Sequence, residues 1–509
     1  MADNLEEIYI KPVAHRDNKR TLSATESVYH HSALLNPPQS FAIFVVILES
    51  SNPIPPDMVR KSLNEESKKH MLLRSRIRTN TDGYDEFQEI EDLDMETGHW
   101  IDLECQTNDN IQDWNVALRD NIKNKPFDFA EGPVWRALWI ESNLTENTDD
   151  VDGTYSYTLV FISSHAILDG LSISDFAFAQ FLPTLNNLLN GDELSIKSID
   201  QSDSIQLTKS TTEIYSNLKA PQESYQQYPV PFLKEKALGV GISLISMLNL
   251  KPKPPPMRVF ENKNNNGCTE FHQFEIDEET AFNFRRVCKE NSLSFQAMLM
   301  LLIGNAMKEC ENHFPHFKAN IHEIRYPVDV RRFNKALSTS PLPVAVHVQS
   351  VAQKIRPQPT ENVAEFLKYA HEVSESVRSF KGPAPASDLI DSVVILQRNN
   401  FFQKGIQYAP QGILFSNIGN CDGFQKLQST DIVKAKQCYA TSLTHNTIFA
   451  SAAALNKKMF CVLSYNSEWL NADFAKVVEK NMRSSMKTLV KGLSVMATKG
   501  RGILKVFDF

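Results

Sequence analysis

Hydrophobic and polar positions along the chain change period repeatedly, and each change marks a strand or a helix. Phe41 to Ser50, FAIFVVILES, is a β-branched and aromatic run that predicts a buried strand. Residues 56–70 suit a helix, and alternation in MLLRSRIR (71–78) places Leu73, Ser75 and Ile77 on one side and arginines on the other. Ile111, Trp114, Ala117, Leu118 and Ile122 fall near helical spacing and predict an amphipathic helix over 110–124. Strands follow at 134–142 and 155–164 around an acidic loop at 145–153, and Leu171 to Leu189 carries a helical stripe of Ile173, Phe176, Leu182, Leu185 and Leu189.

From about 190 to 268 the pattern dissolves into Ser, Thr, Gln, Lys and Pro, with YPVPF (228–232) and KPKPPP (251–256) as extended pieces. The apolar stretch 237–250 between them is too short to span a bilayer and is read as a buried helix, the alternative being a membrane-surface contact. The alternation then restarts. Strands are predicted at 268–276, 324–330, 342–353, 412–420, 447–455 and 459–466, the last two as a hairpin. Helices are predicted at 278–290, with Phe282, Phe284 and Val287 inside, at 295–310 after a Ser294 cap, and at 471–492. The expected organisation is an α/β chain of two lobes, 1–200 and 268–509, joined by a Pro/Ser-rich crossover over 201–267.

Composition narrows the class of function. With 42% hydrophobic and 22% charged residues the chain is globular, and 53 basic against 61 acidic residues give −8, which argues against nucleic-acid binding. No run of eighteen apolar residues and no charged leader is present, and the seven cysteines are scattered singly, so a monomeric, cytoplasmic protein with reduced thiols is expected. P-loop, dinucleotide-binding, zincin, paired-cysteine and nucleophile-elbow patterns are absent. Cys310, His313 and His316 have metal-like spacing at a helix end but no fourth ligand, so no metal and no bound cofactor is expected. His30, His31 and His445 are assigned no chemistry.

The informative segment is SSHAILDGLSISDF (163–176). His165 falls where a strand ends and a helix begins, a place where a sheet fixes a side chain at a cleft. Asp169 and Gly170 follow, and composition alone would produce H-x-x-x-D-G only roughly 0.03 times in this length. Asp169 is also a plausible helix N-cap, and Gly170 is read as backbone freedom before the helix.

His165, Asp169 and Gly170 after a buried strand resemble the motif of the chloramphenicol acetyltransferase-like superfamily. Further resemblances lie in LLRSRIR (72–78), PFDFAEGPVWRALWI (126–140), SFQAMLMLLIGNAM (294–307), YPVDVRRF (326–333), SNIGN (416–420) and FCVLSYNSEW, so that nearly the whole chain is covered. The Asp-Val-Arg-Arg and SNIG segments are closest in flavour to the alcohol acetyltransferase-like branch. Ser164 stands where condensation domains usually carry a second histidine, and the Asp-Phe-Gly-Trp-Gly segment of plant acyltransferases is missing.

The resemblance implies a two-lobed fold with mixed sheets flanked by helices and an active-site tunnel between the lobes. It implies an acyltransferase of the EC 2.3.1 type that moves an acetyl or longer acyl group from acyl-CoA, as co-substrate, to a small alcohol. His165 would be the general base, with no covalent intermediate. Asp169 would orient the histidine loop by pairing with Arg331, or with Arg332 as the fallback, and Ser416 and Asn417 are candidates for the oxyanion or tunnel lining. The alternatives are an amide- or ester-forming enzyme with an amine acceptor or a carrier-bound donor, and a non-catalytic ligand-binding protein.

Overall fold

A computed structural model of the chain describes residues 19–34, 40–108, 114–142, 154–191, 259, 267–318, 323–333, 341–380, 412–425, 431–443 and 447–499. The first half runs β1 (Lys19–Thr21), α1 (Ala24–Ala33), β2 (Phe41–Ser50), α2 (Pro56–Ser67), β3 (Ser75–Thr79), β4 (Asp85–Glu89), β5 (Leu103–Asn108), α3 (Trp114–Asn124), β6 (Trp135–Ser142), β7 (Tyr155–Ser164), α4 (Gly170–Asp175) and α5 (Leu182–Leu189). The second runs β8 (Thr269–Ile276), α6 (Glu278–Glu290), α7 (Phe295–His313), β9 (Glu323–Asp329), β10 (Val348–Lys354), α8 (Val363–Arg378), β11 (Ile413–Asn420), β12 (Val433–Ser442), β13 (Ile448–Leu455), β14 (Lys458–Asn466) and α9 (Ala472–Lys499).

Each half builds around its own sheet. The first is five-stranded in the order β12-β2-β7-β6-β5, the second six-stranded in the order β10-β9-β11-β13-β14-β8, and β1-β4-β3 form a small third sheet. In the second sheet β11 lies parallel to both of its neighbours, so the sheet is mixed. β2 and β7 are buried at nearly every position, which is why they read as continuous apolar runs rather than alternation. They pair antiparallel in unbroken register from Phe41↔Ser164 to Ser50↔Tyr155, which fixes the end of β7 beside the start of β2.

The segment 268–509 does not stay in one lobe: β12 crosses over and pairs with β2 from Val433↔Ser50 to Ser442↔Ala42. The core around the first sheet accordingly continues through Ile418, Ala453, Leu455, Phe460 and Val462 of the second, while a second core packs α6, α7 and α9 on the opposite face. The crossover, including 237–250, lies outside the described residues apart from Val259 and Gly267.

Four readings need correction. Residues 71–74 form a short 3-10 turn before β3, although Ser75 and Ile77 do share the buried side. Phe282 is 58% exposed, because the inner stripe of α6 runs through Ala281, Phe284, Val287 and Cys288, and Phe282 sits on the other side of the helix. The stripe over 171–189 is not one α-helix: α4 and α5 are joined by a π-helical turn, Phe176–Phe181, across which Leu182 N–H reaches Ala177 O. Pro183, which has no N–H and crowds the carbonyl four residues back, follows that wide turn directly. Finally, β10 starts only at Val348, because residues 342–347 spend their backbone groups on α4 instead.

Candidate active site

The site is built outward from the end of β7. Ser164, the last strand residue, pairs with Phe41, and the next N–H, that of His165, reaches Ser40 O at 3.3 Å. His165 is thus held at the mouth of the first sheet. Its ring stacks on Tyr29 of α1, with centroids 4.1 Å apart and planes 10° apart. Nδ1 is enclosed, near the backbone carbonyls of its own loop but without a hydrogen bond of good geometry. Burial pushes the imidazole below its ordinary 6.5, while backbone carbonyls of His165 and Leu168 and the Asp169 charge pull weakly the other way.

Asp169 does not touch the imidazole. It caps α4: Oδ1 accepts Leu171 N–H at 3.1 Å and Ser172 N–H at 2.9 Å. Oδ2 faces the second lobe and accepts Arg331 Nη2 at 2.9 Å and the His347 N–H at 2.8 Å. Capping and ion pairing, which look like alternatives in sequence, are carried by the two oxygens of one carboxylate. Against the cost of burial, the Arg331 charge and these donors hold Asp169 down at about 2. Arg331 is 0% exposed; it also bonds Asp329 at 3.0 Å and Ala345 O at 3.2 Å. Arg332 points elsewhere, over the rings of Phe333 and Phe380.

The clamp extends along α4. Ser172 Oγ reaches Ala345 O at 2.9 Å, and Leu342 N–H donates to Asp175 at 2.8 Å. Gly170 is the first residue of α4, and its backbone is not in the left-handed region. Space, rather than freedom, is what the glycine affects: an added Cβ would lie 2.6 Å from Ile418 Cδ1 of β11, the free end of that side chain, which would have to turn aside.

β11 separates the two remaining candidates. Ser416 pairs with Ser451, whose hydroxyl bonds Ala440 O of β12, so this face looks toward the first sheet. Asn417 pairs with Ala452 of the second core and lines a cavity beneath α6, with its Oδ1 accepting Gly419 N–H at 3.1 Å. The structure does not bring Asn417 to His165. Cys310 is buried in α7 while His313 is at the exposed helix end, and no set of three metal-ligating side chains converges among the described residues. His445 lies outside the described residues. His30 is buried edge-on against Phe129, and His31 Nε2 lies 3.0 Å from Asp85.

Tyr29 and the 342–347 segment were not legible in the sequence. Tyr29 belongs to α1, which has little hydrophobic periodicity, and residues 342–347 resemble a strand until their hydrogen-bond partners are known.

No family model and no curated protein matches the chain. Among solved structures the chain is similar to the trichothecene 15-O-acetyltransferase of Fusarium sporotrichioides, with a TM-score of 0.66 at 10% identity over 92% of this chain and 95% of that one. It is similar to the first condensation domain of the calcium-dependent antibiotic synthetase, with a TM-score of 0.58 at 11% identity over 93% and 97%. The epimerization domain of tyrocidine synthetase B gives 0.55 at 11% identity over 95% and 100%. The chain therefore has the two-lobed chloramphenicol acetyltransferase-like fold, shared by acyltransferases and condensation domains.

Proposed function

We propose that the protein is an acyl-CoA-dependent O-acyltransferase in which His165 is the general base. The observation that carries this reading is an uncharged imidazole at a strand end, its Nδ1 enclosed, on a loop held to the second lobe through Asp169 and Arg331. An imidazole kept below 6.5 is unprotonated near neutral pH and ready to accept a proton. With Nδ1 enclosed, Nε2 is the nitrogen left to meet a substrate.

In the reaction, Nε2 removes the acceptor hydroxyl proton as the oxygen attacks the thioester carbon, a contribution of about 10²–10⁴-fold. The C–O bond forms, the carbonyl oxygen becomes an oxyanion, and the C–S bond breaks as the imidazolium returns its proton to the CoA sulfur. Ser416, on the inter-lobe face of β11, is the hydroxyl assigned to the oxyanion. No side chain is acylated.

The test is to incubate the purified chain with acetyl-CoA and longer acyl-CoAs against pooled alcohols and amines. Free CoA is read with a thiol reagent and products by mass spectrometry. Alcohol-dependent CoA release that is lost in His165→Ala supports the reading, and an amide product moves it to an N-acyltransferase. Silence in every pool from folded protein would falsify it in favour of a carrier-bound donor or a binding role.

A further inference from the structure

A second feature lies on the other side of β11 from the Ile418–Gly170 contact. A cavity of about 390 Å³ opens between α6 and the second sheet. That volume is within the ordinary range for small-molecule sites, about 300–1,000 Å³. Its floor is apolar because β13 carries Ala452 and Ala454 on this face, where larger residues would fill the gap, and Leu293, Phe295 and Met459 complete the wall. At Gly419, φ is +91° and an added Cβ would meet nothing within 4 Å, so the backbone itself borders open space.

The charge at the rim is mainly basic: Asp422 acts on Arg285 through space but makes no ion pair with it. Arg286, Lys457 and Lys458, close by in the chain or the hairpin, each have a carboxylate partner, at 3.8, 3.3 and 2.8 Å. Arg285 and Lys289, one helical turn apart and both lining the cavity, have no carboxylate within 4.0 Å among the described residues. Arg285 is partly buried and makes a long 3.5 Å bond from Nη2 to Lys458 O. A partly desolvated guanidinium is worth more to an anion than a solvated one, because the local dielectric is lower.

We propose that this cavity binds an amphiphilic anion, an apolar chain that lies along the alanine floor and ends in a carboxylate or phosphate held by Arg285 and Lys289. A free fatty carboxylate and the phosphorylated arm of a long-chain acyl thioester share this chemistry. The site does not depend on His165 acting as a base.

The experiment measures equilibrium binding of dodecanoate and, separately, of dodecanoyl-CoA and CoA by calorimetry. The proteins are the full chain, the Arg285→Ala/Lys289→Ala double variant, Ala454→Phe and His165→Ala. The charge variant, altered at the surface, should bind about tenfold more weakly, the scale of one hydrogen bond to a charged group. Ala454→Phe, with its ring in the open space, should abolish dodecanoate binding and any dodecanoyl-CoA binding beyond one site while retaining the wild-type melting temperature, and His165→Ala should bind dodecanoate as wild type. Such losses with dodecanoate assign a free carboxylate, and losses only with dodecanoyl-CoA assign the thioester. Binding of neither ligand, or binding that the charge variant leaves unchanged, overturns the proposal.

Discussion

Replacing Asp169 with alanine tests the clamp directly. The carboxylate is 1% exposed and Arg331 0% exposed, so water cannot take over the lost contacts. The change removes the acceptor of Arg331 Nη2 and of the His347, Leu171 and Ser172 N–H groups, while Asp329, 3.0 Å from Nη1, keeps part of the guanidinium charge compensated. The depression of Asp169 from 3.8 to about 2 corresponds to about 2 kcal/mol at neutral pH. That figure already contains the cap bond to Ser172 and the bond from His347 N–H, and the donors left orphaned and buried bring the total to about 3–5 kcal/mol, the usual cost of breaking a buried pair from one side. The contribution is present above the unfolded carboxyl pKa and lost as pH falls through about 2. Urea unfolding followed by tryptophan fluorescence, on wild type, Asp169→Ala, Arg331→Met and the double variant, reads these costs. The double variant should be less destabilised than the sum of the singles by about 2–3 kcal/mol. A loss below about 1 kcal/mol in Asp169→Ala, or strict additivity, refutes the reasoning.

Gly170→Ala should cost no more than about 1 kcal/mol, because the contact is with the free end of the Ile418 side chain, and Ile418→Val, which deletes that Cδ1, should remove the cost; a loss above about 2 kcal/mol, or a double variant no better than the single, rejects the steric account. Burial holds His30 and His347 each down at about 4, so between pH 6.5 and 4 the unfolded chain takes up protons that the folded one does not. Stability should fall with acid across that window by roughly 2–4 kcal/mol per histidine, and His347→Gln should flatten the melting-temperature profile. Tyr29→Phe, which keeps the stacked ring, should leave the rate of the proposed transfer near wild type. Tyr29→Ala should slow it about tenfold and move the acid limb of the pH–rate profile upward, toward 6.5, as solvent reaches His165; an unmoved limb counts against a positioning role.

What was readable in the chain follows from what is local. β2, β7 and α6 carry their own periodicity or their own turn signals, and their observed bounds coincide with the runs FAIFVVILES, YSYTLVFISS and the helical stretch from Glu278. His165 and Asp169 stood out because a strand-to-helix junction is itself a local pattern. β12 was missed because its second half, Cys438 to Ser442, is buried on both faces at the edge of β2 from the other lobe, and nothing in KAKQCYATS announces that neighbour. The same holds for 342–347, whose backbone partners are on α4 some 170 residues earlier. Ser416 and Asn417 are candidates together because they lie on one strand that resembles a tunnel lining, but strand alternation sends adjacent side chains to opposite faces, and only pairing with Ser451 and Ala452 shows which face is which.

The separation of Asp169 from the imidazole bears on how such a site can work. A carboxylate bonded to the ring would raise the histidine pKa and fix one tautomer directly. Here the carboxylate turns its oxygens to α4 and to Arg331, and its charge reaches His165 only through space, too weakly to offset burial. The imidazole therefore stays uncharged, and its orientation comes from the stacked Tyr29 ring, the Ser40 carbonyl and the loop that Asp169 pins. Since Arg331 and His347 belong to the second half of the chain, the loop that carries the histidine is pinned across the two halves. An ion pair of modest net worth for stability can then be essential for geometry, because it ties closure of the lobes to the placement of the one ring that both substrates would have to share.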